Sequence, residues 1–329
     1  MAQQLWSRAI GYAVLGSLLA CGAAQAEDRL RAIVAYQSQY FYAKTFATFV
    51  EKLNDAGKGV VQIQVIGGPE AIPPFEQADA VRTGVVDMLY APGTYYLGLI
   101  PEADAVAASS ITPMDTRANG AFETLRKPFA AKMNVEILGV IPGGVPFNIF
   151  LKDEPKIGPD GVPDLEGVKL RGSPTQRDFL TEVGATFVQI PLPETYTALE
   201  RGVVDGMATP IVGVMDLGWD KFLNYRIEPG VFQTDNMVYV NLDKWNALSE
   251  ESRNILRQVA EEQERESYAF AQKIIEDEKA ALAERGMKAI ELSPEGADKY
   301  KRIAQDAIWG RLEKNDPTYY EDLRAKLDR

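Results

Sequence analysis

The chain has no histidine and one cysteine, Cys21. Without histidine, Ser-His-Asp and Cys-His catalysis and His-ligated zinc sites are excluded. A basic excess is missing too: 47 Asp and Glu stand against 35 Lys and Arg. Nucleic-acid binding needs a basic face, so this balance argues against it. An anionic ligand remains possible, because charges beyond a Debye length of ~8 Å are screened and one local cation dominates inside a cleft. Carboxylate-only chemistry also remains open, although no Asp/Glu pair stands out for it. The apolar run at 9–20 is too short to span a ~30 Å hydrocarbon core, which takes about 20 apolar residues.

That run nevertheless has a place. Arg8 is the only charge in the first 26 residues, the sequence Ala24-Gln25-Ala26 follows, and polar, acidic sequence begins at Glu27. A charged n-region, an apolar h-region and an A-x-A site predict a signal peptide at 1–26, cleaved near Ala26, and a mature chain exported from the cytoplasm without spanning the membrane. Leu18-Leu19-Ala20-Cys21 loosely resembles a lipoprotein box, with Leu19 bulky for it; lipidation at Cys21 is the alternative. Cleavage after Ala26 leaves no disulfide and no thiol ligand, so stability then rests on packing.

About 300 mature residues exceed the usual size of a single core, which predicts two lobes. Strands are expected at 30–36 and 60–66, with a helix at 41–53 placing Phe46, Phe49, Val50 and Leu53 on one face. This alternation is the rhythm of a mostly parallel α/β sheet. Residues 80–92 (AVRTGVVDMLYAP) and 198–210 (ALERGVVDGMATP) echo each other. In each, a helix is expected to end at a glycine tolerant of positive φ (Gly84, Gly202), Val-Val to enter a central strand, and proline (Pro92, Pro210) to stop it. Ligands of open α/β sheets sit at such carboxyl strand ends, so the echo predicts two strand ends facing one cleft; chance similarity of a common helix–strand turn is the alternative. Further strands are expected at 136–141, 146–151, 168–171 and 237–241, with lobe crossings near 145–151 and 233–241 forming a hinge. Ser249 is a good N-cap, followed by Glu250 and Glu251, for a helix running to Arg285. At 1.5 Å per residue it measures roughly 50 Å. Its polar middle, 261–266, suggests a brace across both lobes, or two helices with a break.

The segments LEGVKLR (165–171), PLPETYTAL (191–199) and GVVDG (202–206), with GVVD (84–87), Trp245, Leu248-Ser249-Glu250-Glu251 and the long helix, resemble the solute-binding proteins of TRAP transporters, the DctP family, over nearly the whole mature chain. The resemblance implies a two-lobed periplasmic-binding-protein fold of type II-like α/β architecture, with hinge strands and the long helix spanning both lobes. The expected division is 27–146 with about 237–275 in lobe I, and 147–236 with about 276–329 in lobe II. It also implies closure around one organic acid, delivery to a small and a large membrane subunit, and no chemistry. No cofactor is expected and no metal ligand is assigned; some members use a metal with ketoacids, and the sequence leaves that open.

In the family, the arginine ending the 168–171 strand pairs with the substrate carboxylate, and here that is Arg171. Its planar fork matches a carboxylate and keeps its charge when desolvated; a surface salt bridge is the alternative role. Thr209 and Pro210 align where Asn often precedes Pro at the ligand. Tyr90, Ala91 and Pro92 occupy the matching strand end of the first lobe. Phe147 and Asn148 lie at the outgoing crossing, Asn236 at the return. Sialic-acid-binding members carry a second Arg near the outgoing crossing, whereas 145–150 here has none. Phe75 and the rings of Tyr40, Phe41, Tyr42, Tyr95 and Tyr96 are candidates for an apolar wall, favouring a monocarboxylate with an apolar or aromatic body, though rings also stack on sugar acids. Asp87, Asp205, Glu194 and Tyr196 read as structural. A periplasmic enzyme on a similar fold, or a binding protein serving a sensor, are the competing readings.

Overall fold

The computed structural model describes residues 27–316 and 318–328. The expected signal peptide and Cys21 lie outside the described residues. The first strand is β1 (Asp28–Val34), which buries Leu30, Ala32, Ile33 and Val34. Helix Phe41–Ala56 follows and stops at Gly57, where a Cβ would meet the Val61 carbonyl at 2.4 Å. Then come β2 (Val61–Gly67), β3 (Met88–Pro92) and β4 (Val135–Gly143). The chain crosses to β5 (Phe147–Leu151), the short pair β6 (Lys156–Ile157) and β7 (Pro163–Asp164), then β8 (Lys169–Gly172), β9 (Thr186–Gln189), β10 (Gly206–Pro210) and β11 (Tyr225–Glu228). It returns in β12 (Asp235–Asn241) and crosses once more to β13 (Lys288–Glu291).

Two mixed sheets result, ordered β2-β1-β3-β12-β4 and β13-β11-β5-β10-β8-β9. β1 runs parallel to β2 and β3, and β8 parallel to β9 and β10; β12 and β5 are the antiparallel strands that each crossing delivers into the middle of its sheet. The two crossing segments are themselves joined. Phe147 and Val231 exchange backbone hydrogen bonds of 2.9 and 2.8 Å, and the Thr234 N–H donates to the Val145 carbonyl at 3.0 Å.

The repeated GVVD segment builds the same turn twice, with one difference from expectation. Gly84 and Gly202 have φ of 77° and 65°. The Val-Val pairs stay in the turn, Val85 and Val203 exposed and Val86 and Val204 buried, and the strands begin only after the aspartates. The reason is the aspartate. Asp87 Oδ2 accepts the Arg31 N–H at 2.8 Å, and Asp205 Oδ2 accepts the Lys169 N–H at 2.9 Å. Each carboxylate thereby pins the start of its strand to a parallel neighbour.

The long helix is continuous from Glu250 to Glu284. Its first part packs on the first sheet, Gln272 reaches the Gly144 carbonyl between the sheets, and Glu278 accepts the Met215 N–H in the second lobe. Its polar middle does not lie over a gap. Gln263 and Glu264 are buried, with Glu264 paired to Arg117 and accepting the Val140 N–H at 2.7 Å against β4, while Glu261, Glu262, Arg265 and Glu266 form the solvent-facing side. The C-terminal segment also differs from its expected place wholly on lobe II. Helix Pro294–Asn315 buries Tyr300 and Ala304 in the second lobe's core, but Ile308, Trp309 and Leu312 in the first lobe's. Helix Tyr320–Leu327 then packs on helix Ala121–Met133 of the first lobe. Among the described residues, no helix is long and apolar enough to cross a membrane.

Candidate functional site

A cavity of ≈ 20 Å³ lies where the two strand ends meet. The first lobe contributes Tyr36 beyond β1, Tyr40 and Tyr42 at the head of their helix, Pro92 ending β3, and Thr94 and Tyr95 in the turn after it. The second lobe contributes Phe147 opening β5, Arg171 and Ser173 at the end of β8, Leu192, and Thr209 and Pro210 ending β10. Thr234, Asp235 and Asn236 enter from the return crossing. The lobes touch closely around it. Gly213, at φ 94°, lies so near Tyr40 that a Cβ would sit 2.5 Å from the ring, and Asp216 accepts the Phe41 N–H at 2.7 Å.

Arg171 is 2% exposed. Its Nε donates to the Ile190 carbonyl at 3.0 Å, which fixes the plane of the guanidinium. Its Nη2 is buried without a partner, and among the described residues no Asp or Glu forms an ion pair with it. A buried cation without a counter-ion is costly, so the wall of this cavity is prepared for an anion. Asn236 Nδ2, Thr209 Oγ1 and Tyr42 OH are also buried and unpartnered. Tyr36 OH donates to Asn236 Oδ1, which turns the amide so that Nδ2 is the free end.

Asp235 is the one carboxyl on the wall. Its oxygens accept the Thr94 N–H at 2.7 Å and face the Thr94 hydroxyl at 3.2 Å. Burial pushes its pKa up to about 7, against the pull of the Thr94 hydrogen bonds. Burial likewise raises the Tyr95 hydroxyl, opposed by the Arg171 guanidinium reaching it across the cleft. Among the described residues no group of three His, Cys, Asp or Glu is placed to hold a metal ion.

Of the residues singled out in the sequence, Arg171, Thr209, Pro210, Pro92, Phe147 and Asn236 line the cavity. Tyr90, Ala91, Asn148 and Phe75 do not. Tyr90 stacks on Phe46 at 4.7 Å and donates to the Ile141 carbonyl. Ala91 is buried in the sheet beside Met237. Asn148 turns to the Ile227 carbonyl at 2.8 Å, and Phe75 packs edge-on behind Tyr95 at 4.9 Å. Residues not anticipated are Tyr36, Thr94, Ser173, Leu192, Thr234 and Asp235. Thr234-Asp235-Asn236, a polar triplet directly before the apolar run Met237-Val238-Tyr239-Val240, was a legible signal for the return crossing.

A monocarboxylate 2-oxoacid-binding periplasmic protein of Nostoc is 26% identical over 238 residues, 66% of this chain and 62% of that protein, thus less than two thirds of the relative's length. The fold resembles a Bordetella pertussis extracytoplasmic solute receptor binding pyroglutamic acid, with TM-score 0.77 and 17% identity over 92% of this chain and 99% of the other. It also resembles a TRAP periplasmic solute-binding protein of Roseobacter denitrificans with bound L-galactonate, with TM-score 0.76 and 18% identity over 90% and 98%. Residues 33–315 match the family described as DctP, bacterial extracellular solute-binding protein, family 7, and the chain belongs to that family.

Proposed function

We propose that the protein works in the periplasm, binding a small organic acid through its carboxylate between the two lobes and delivering it to the small and large membrane subunits of a TRAP transporter. The observation that carries this reading is the buried Arg171 guanidinium with an unpartnered Nη2 on the cavity wall. Family membership and the acids bound by its structural relatives support it. The export signal expected over residues 1–26 supports that compartment.

A cavity of ≈ 20 Å³ is about the room of one water. Admitting an organic acid therefore requires the lobes to part, and the paired crossings at Phe147 and Val231 are the place where the motion is absorbed. On closure, donors from both lobes meet the ligand, and water is expelled from around the charged pair, which strengthens it.

We expect titration calorimetry with an organic-acid panel to find one-to-one binding. Arg171→Ala is expected to weaken it at least ~30-fold, since truncating one side of a buried charge pair costs roughly 2–5 kcal/mol. Affinity unchanged in that variant removes the assignment. An enzymatic reading would turn on Asp235, whose pKa suits proton transfer. Its oxygens are engaged by Thr94, so we propose binding without turnover; a bound acid converted to product, followed by NMR, would revive the enzyme.

A further inference from the structure

We propose that the ligand is a compact monocarboxylate with an apolar body, branched or single-ringed, and that dicarboxylates and polyhydroxylated acids are discriminated against. This rests on the carboxylate reading above and adds the ligand's class to it.

Charge decides the first half. Among the described residues Arg171 is the one cation on the cavity wall, and Asp235 the one carboxyl. A second ligand carboxylate would be buried without a cation and beside a carboxyl group, which disfavours its ionised form twice over.

The polar inventory decides the second half. Three wall residues already donate their side-chain hydroxyls to protein acceptors: Ser173 to Gln176 in its own turn, and Thr94 to Asp235 and Thr234 to the Pro142 carbonyl across the fold. The buried unpartnered atoms on the wall are Arg171 Nη2, Asn236 Nδ2, Thr209 Oγ1 and Tyr42 OH. All four can donate, and a carboxylate's two oxygens offer about four acceptor sites. One carboxylate therefore uses the set, and the hydroxyl oxygens of a sugar acid would be desolvated with none of these buried donors left to meet them, which counts against a polyhydroxylated body.

The remaining wall is mostly ring and aliphatic carbon. Tyr36, Tyr40 and Tyr42 form a mutual cluster with centroids 5.1–5.6 Å apart, and Leu192, Pro92 and Pro210 close the sides. The rings pack against one another edge-on or tilted, a rigid arrangement that suits a compact hydrocarbon body and limits its size.

The test is competitive titration of the purified wild-type protein, stripped of co-purified ligand by unfolding and refolding. The panel contains 2-oxoisovalerate, 3-methylbutyrate and benzoate, then succinate and malate, then gluconate and glucuronate. At least one of the first three is expected to bind more than tenfold tighter than every other acid. If a dicarboxylate or polyhydroxylated acid binds within tenfold of the best of the first three, and Arg171→Ala still loses it, this inference is overturned and the carboxylate reading stands. If no acid binds, or Arg171→Ala retains binding, the carboxylate reading falls and takes this inference with it.

Discussion

At the scale of single residues, the site is a set of polar atoms whose inward direction depends on pairings far apart in sequence. Arg171 was singled out through the motif it shares with a known family, and its place at the end of β8 puts it buried on the cavity wall. Asp235 and Tyr36 were not. Which member of the 234–236 triplet faces the cleft follows from the register of β12 on β3, where Asn236 pairs with Pro92, and that is a contact across 144 residues of chain. Asp235 also yields a pH prediction. Its pKa is raised from the ordinary 3.8 to about 7, mainly by burial, with Asp104 pushing the same way. The folded state therefore binds the proton more tightly than the unfolded chain. The stability this gives is fully present below pH ~4 and is lost as pH rises toward 7. At about 1.4 kcal/mol per pKa unit, the loss amounts to a few kcal/mol by pH 8. Asp235→Asn keeps an acceptor for the Thr94 N–H and a donor for its hydroxyl but cannot ionise. Its melting temperature is expected to exceed the wild type's at pH 8, with the gap closing toward pH 4; an equal gap at both pH values would refute the assignment.

Elements were read more securely than residues, because periodicity and capping are local. The helix at 41–56 and the 35-residue helix with its Ser249 cap follow directly from apolar spacing and an N-cap that accepts the Ser252 N–H. The GVVD turns were placed correctly but joined to their strands too early. Valine favours strands, yet a glycine at positive φ and an aspartate held by the neighbouring strand keep the pair in the turn. That hydrogen bond has a measurable role. Asp205→Ala removes the acceptor for the Lys169 N–H at the start of β8, the strand that carries Arg171. A hydrogen bond of this kind contributes about 1 kcal/mol. Amide exchange at Lys169 is expected to accelerate in the variant while exchange at Arg31, held by Asp87 in the other lobe, is unchanged. Ligand affinity should fall by a few-fold in Asp205→Ala and less in Asp87→Ala.

At the scale of the whole molecule, two lobes were legible from chain length and from the echo, but the course of the C-terminus was not. An amphipathic stripe says that a helix is buried on one side without saying against which lobe. Helix Pro294–Asn315 uses the two halves of its stripe on different lobes, and this places Arg311 between them. Arg311 donates to Asp104 of the first lobe at 2.7 and 2.9 Å, and to Asp178 and the Thr175 carbonyl of the second at 2.7 and 3.0 Å. The guanidinium is thus a clasp across the closed cleft, and opening must break at least one side of it. Asp104 is 1% exposed, and burial lifts its pKa to about 6 even with Arg311 beside it. In Arg311→Gln that carboxyl would shift further upward and take a proton near neutrality, which limits the destabilisation to less than the roughly 3–5 kcal/mol of an abandoned buried charge. The closed state alone loses the clasp, so the lobe equilibrium moves toward open and apparent affinity falls by the fraction no longer competent to close. Small-angle scattering of the unliganded variant should give a larger radius of gyration than wild type, and ligand dissociation should be faster with association little changed. A variant as compact as wild type, releasing ligand at the same rate, would show that Arg311 braces the fold without gating the cleft.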